Sequence, residues 1–98
     1  MYGSKKVREA ILLALQRRGL AWPQPSARDA ESVAARRMAF AAMLRYSTLR
    51  PSAIAEAVGT TQANAPGLLK SLDEWRDPQA VQAWIEDVGK VLEAGCDT

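Results

Sequence analysis

The 98-residue sequence contains no histidine. Imidazole acid–base chemistry, histidine triads and His-containing zinc sites are therefore excluded. Its single cysteine, Cys96, lies two residues from the end. That leaves no internal disulfide and no cysteine cluster, and makes a reducing cytoplasm the expected setting with Cys96 a bystander thiol. Only six residues are aromatic, so alanine and leucine must fill much of the core. Long apolar runs are missing too. The longest near the start, Ala10 to Leu15, is too short for a signal-peptide core and is followed by Arg17 and Arg18. No internal repeat, low-complexity tract or alternating strand pattern is present.

What is present is enough for one small domain. Hydrophobic residues make up 48% and charged residues 24%, a balance that supports a core and argues against global disorder. Net charge is only +2, but it is divided unevenly. Residues 1–70 hold eleven Lys/Arg against four Asp/Glu, and residues 71–98 hold two against seven. A basic body with an acidic end implies one face suited to a polyanion and another that is not.

The periodicity predicts an all-α chain of about five helices around a helix-turn-helix, with no wing. Ser4 is the expected cap of the first helix, whose face is Val7, Ile11, Ala14 and Leu15, and Gly19 its stop. The run GLAWPQPS, residues 19–26, is the clear loop, with Trp22 expected to pin it to the core. Ser26 with Asp29 resembles a capping box. A helix from Ala27 to about Tyr46 should follow. Val33, Met38, Ala41, Ala42 and Leu44 are its expected apolar side, Phe40 and Met43 a second strip, and Arg36, Arg37 and Arg45 its wet side. Pro51 suits the first turn of a third helix over about 51–58, carried inward by Ala53, Ile54, Ala57 and Val58 and ended by Gly59. A fourth helix, about 61–75, turns Leu68, Leu69 and Leu72 inward. Asp77 then caps a fifth with Pro78 in its first turn. Val81, Trp84, Ile85, Val88, Val91 and Leu92 form its inner face, with Glu86, Asp87 and Glu93 outside.

Residues 51–75 supply the parts of a helix-turn-helix: a short helix, a glycine turn and a second helix able to enter the major groove. Thr60, Thr61, Gln62 and Asn64 place polar side chains at its leading end. Gln and Asn suit adenine edges, and Thr suits bases or phosphates. Lys70 is spaced to reach a phosphate. Pro66 leaves two geometries open. If Thr61 is the cap, Pro66 is the fifth helical residue and forfeits a backbone bond. If Asn64 is the cap, Pro66 is the second and costs little.

Residues 35–59, ARRMAFAAMLRYSTLRPSAIAEAVG, resemble the C-terminal DNA-binding domain of the bacterial replication initiator DnaA, a Trp-repressor-like helix-turn-helix. Ala35, Arg36, Ala39, Leu49, Ile54 and Gly59 match that family's pattern, with Ser47 in place of its threonine. The earlier and final amphipathic helices extend the likeness in layout to nearly the whole chain. It implies Arg36 as a phosphate-backbone contact and residues 60–64 at the groove. Three features depart from the family. Its double glycine is the single Gly59, and its Arg-Asp-His-Thr-Thr signature is replaced by Thr60 to Asn64. Its basic loop is thinned to Arg28 beside Asp29 and Glu31. The initiator's own binding sites therefore do not carry over. With no ATPase module in these residues, the chain looks more like the DnaA-like transcription activators of bacteria and phage-like elements, gene transfer agents included, or a fragment of such a regulator. The run IAEAVGTTQ also resembles the helix-turn-helix of winged repressors, but the residues after it lead to another helix and not to a wing.

Two functions follow as expectations. The first is a DNA-binding transcription regulator on double-stranded DNA. Its contacts would be Arg36, Arg37, Arg50, Thr60, Thr61, Gln62, Asn64 and Lys70, supported by a basic N-terminal half: Lys5, Lys6, Arg8, Arg17, Arg18 and Arg45. The second is a helical interaction module that meets RNA polymerase or another regulator through its acidic last helix. An enzyme is the weakest reading. The adjacent acids Glu86-Asp87 and Asp73-Glu74 diverge by about 100° on a helix, and no nucleophile–base pair, phosphate loop or metal set is present. No cofactor is implied.

Overall fold

The computed structural model describes residues 2–24, 28–73 and 77–96, and among these the chain is all-helical with no strand. Five helices occur in order: α1 (Ser4–Arg17), α2 (Ala30–Tyr46), α3 (Pro51–Ala57), α4 (Ala65–Asp73) and α5 (Pro78–Cys96). A single 3-10 turn, Gln62–Asn64, precedes α4.

Glycine sets the exits of α1 and α3. Gly19 at φ +73° and Gly59 at φ +88° take the left-handed conformation that a side chain resists. At each, two crossed bonds satisfy the last carbonyls. Leu20 N–H donates to Leu15 and Gly19 N–H to Gln16; Thr60 N–H donates to Ala55 and Gly59 N–H to Glu56, all at 2.9–3.1 Å.

Two helix starts differ from expectation. Ser4 is the first helical residue of α1, and the extended Gly3 is its cap, a position where glycine is also tolerated. For α2 the cap is Asp29, whose carboxylate accepts from Ser32 N–H at 3.0 Å. That backbone N–H, first among several causes, holds the Asp29 carboxyl below the ordinary aspartate range. Asp29 thus takes the role expected of Ser26; Ser26 and Ala27 lie outside the described residues. The Pro51 and Asp77–Pro78 starts are as expected. Asp77 Oδ1 accepts from Gln79 and Ala80 N–H at 3.0 and 3.1 Å.

Helix α2 is the axis of the fold. It packs against α1, α3, α4 and α5, whereas among the described residues no close backbone approach joins α1 or α5 to α3 or α4. Two groups therefore share α2, which explains its buried Ala35, Ala39, Phe40, Ala41, Ala42 and Met43. Val33, expected inside, is 40% exposed because it precedes the part of α2 that is covered on both sides. Helix α2 is capped by Ser47, a buried polar residue whose hydroxyl donates back to the Met43 carbonyl at 2.7 Å. The hydroxyl is what this position uses, since a buried one needs a partner.

Helix α5 closes the other side through Trp84, Val88 and Leu92, all buried. It crosses α2 closely at Gly89. A Cβ there would come within 2.5 Å of the Tyr46 hydroxyl oxygen, which itself donates to the Ile85 carbonyl at 2.7 Å. Gly89→Ala is therefore expected to destabilise by about 1–3 kcal/mol through overpacking, despite alanine's better helix propensity. Thermal unfolding would show the loss, with Tyr46→Phe in the same background recovering part of it.

Candidate nucleic-acid interface

The helix-turn-helix candidate is built from α3, the turn at Gly59, the 3-10 turn and α4. Ile54, Ala55 and Val58 anchor α3 in the core, and Ala65 anchors the start of α4. The second helix begins at Ala65, not at residue 61. Pro66 is therefore its second residue, where the missing N–H costs little. Of the two geometries open to the sequence, the chain adopts the one with Asn64 just outside the helix. The expected end near Trp75 lies outside the described residues.

Residues 60–64 form one turn, half-exposed at Thr60 and exposed from Thr61 to Asn64. The side chains of Thr60, Gln62 and Asn64 are already oriented. Asn64 donates its amide to the Thr60 hydroxyl at 2.7 Å. Gln62 donates its amide to the Glu56 carboxylate of α3 at 2.7 Å. Glu56 was not among the expected site residues, and it sets a negative charge beside the candidate reading edge. Its spacing of three residues before Gly59 was the available signal: it places Glu56 on the outer side of α3, away from Ile54 and Val58.

Past the turn, the outer side of α4 is Pro66, Gly67, Leu69 and Lys70, all exposed. Leu69, expected inside, is 39% exposed, because among the described residues α4 meets only α2, α3 and the 3-10 turn, which leave its far side uncovered. Lys70 is thus the one charged side chain on this outer run. Arg50 is exposed at the N-cap of α3, the end away from Gly59. Arg37 is half-buried on α2.

Arg36 occupies a different kind of place. Its Nε donates to the Val58 carbonyl at 3.3 Å and its Nη2 to the Gln24 carbonyl at 2.9 Å. One guanidinium thereby ties the end of α3 to the loop before α2. That loop is held from its other side by Trp22, which packs on the core with the Arg8 guanidinium 4.9 Å from its ring centroid. The structure brings Thr60 to Asn64 together and sets Arg36 behind them as a brace.

The basic residues of the first helix lie elsewhere. Among the described helices α1 packs on α2 and α5, and Arg18 pairs with Asp87 of α5 at 2.6 Å. No helix among the described residues is long and apolar enough to cross a membrane. No protein-family model, curated protein or solved structure matches this chain.

Proposed function

We propose that this chain binds double-stranded DNA through α3 and α4, as a small DnaA-like transcription regulator of the kind found in phage-like elements. The observation that supports this best is the exposed polar turn from Thr60 to Asn64. It leads into a second helix, on a part of the fold that the acidic α5 does not approach. Arg37, Arg50 and Lys70 would hold phosphates, and Thr60, Thr61, Gln62 and Asn64 would meet the groove. Because Gln62 and Asn64 already donate to protein oxygens, base readout through them is expected to be modest.

The test is fluorescence anisotropy with mixed-sequence duplexes, beside a Gln62→Ala, Asn64→Ala double variant. About tenfold weaker binding with flattened sequence preference is expected, the lower range of the roughly 1–3 kcal/mol that a good base contact carries. Equal affinity and preference in the double variant would remove the turn from the interface.

One observation favours a second reading. The outer side of α4 carries exposed Leu69 beside Pro66 and Gly67, a surface better suited to an apolar protein partner, such as RNA polymerase or another regulator, than to phosphates. Binding that ignores salt would select it.

A further inference from the structure

We propose that the face formed by α1 and α5 pairs with the same face of a second copy of this chain. Three observations lead there. Helix α1 presents Leu12 and Leu13 at 36% and 41% exposure, about 100° apart on its outer arc, with exposed Lys5 and Arg17 toward its two ends. Single exposed leucines are ordinary, but here two sit on an outer surface that carries Lys5, Lys6, Arg8 and Arg17 against the single acid Glu9. Helix α5, packed directly against α1, exposes the opposite pattern, Glu86 and Glu93. The exceptions are opposite as well: Glu9 is the one acidic residue of α1 and Lys90 the one basic residue of α5. The C-cap of α1 already pairs with α5 once within the chain, through Arg18 and Asp87.

Charge patterns that complement each other on adjacent helices of one face make that face self-complementary. This is the requirement for a two-fold contact, in which α1 of each copy meets α5 of the other. The area suffices. A standard interface takes about 800 Å² from each partner, roughly an eighth of this chain's 6140 Å². Helices of 14 and 19 residues run about 21 and 28 Å. Because α2 stands between this face and α3–α4, pairing leaves the outer side of α4 open, and it is independent of what α4 binds.

The test is sedimentation equilibrium of the full chain without DNA, at concentrations up to about 100 µM, well above the micromolar range of a modest interface. The wild-type chain is expected to dimerise. A Lys5→Glu, Arg17→Glu variant and a Glu86→Lys, Glu93→Lys variant are each expected to be monomeric, since like charges then face each other. Mixed in equal amounts, they should form a heterodimer. All four positions are exposed, and circular dichroism would verify that the variants remain folded. A monomeric wild-type chain, dimers that persist in both variants, or folded variants that fail to pair on mixing would each overturn the proposal.

Discussion

Trp84→Ala is expected to remove a large share of this domain's stability. Trp84 is 1% exposed and heads the fully buried side chains by volume. Its indole N–H donates to the Met38 carbonyl of α2 at 2.8 Å. The guanidinium of Arg18, the C-cap of α1, lies 5.0 Å from its ring centroid. One side chain of α5 therefore touches both helices it packs on. Truncation to alanine loses the transfer free energy of the indole and leaves a void that rigid helices fill only in part, at a cost of about 3–5 kcal/mol. Small domains hold only about 5–15 kcal/mol in total, so the variant should sit near the edge of folding. Urea unfolding followed by circular dichroism should show the midpoint drop with little change in slope. Trp84→Phe keeps most of the ring volume but loses the N–H bond, a net term of about 1 kcal/mol, and should fall between. If the alanine variant were no less stable than the phenylalanine one, Trp84 would not be the joint of α1, α2 and α5.

That joint was legible in the sequence, because its signals are local and periodic. The spacing of Trp84, Val88 and Leu92 states a helical face, and Asp77–Pro78 states where the helix starts. Gly19 and Gly59 likewise mark turns that few other residues make easily. What was not legible depended on contacts far along the chain. Arg36 has the spacing of a solvated residue on α2. Its braced role arises only because Gln24 and Val58, 12 and 22 residues away, bring carbonyls to its guanidinium. Val33 and Leu69 continue apolar patterns, yet each lies where no neighbouring helix among the described residues reaches, and periodicity carries no information about where covering stops. Residues 62–64 form a 3-10 turn with its own hydrogen bonds, a local competition between Asn64, Thr60 and Pro66 that composition leaves undecided. The candidate site is therefore the least legible part. Its polar residues could be named, but not the Glu56 carboxylate that holds Gln62.

On the proposed DNA reading, affinity of the wild-type chain is expected to fall by about 40-fold between roughly 50 mM and 200 mM salt. That follows from three neutralised phosphates, at Arg37, Arg50 and Lys70, and a log–log slope of about −2.7. Arg50→Ala and Lys70→Ala, both at exposed positions, should each reduce the slope by about one and leave the melting temperature unchanged. Arg36→Ala should behave differently. Its guanidinium donates to the Val58 and Gln24 carbonyls, so removing it frees the end of α3 and the loop before α2. The melting temperature should fall, binding should weaken through misplacement of the turn at residues 60–64, and the salt slope should change less than in the other two variants. Arg36→Lys should not restore the wild type, because one ammonium cannot reproduce a planar fork aimed at two carbonyls. Anisotropy titrations at several salt concentrations, paired with thermal melts, separate these outcomes. An unchanged melting temperature with a slope reduced by one would make Arg36 a phosphate contact and its brace incidental. A wild-type slope near zero would sink the DNA reading and leave the exposed side of α4 to a protein partner.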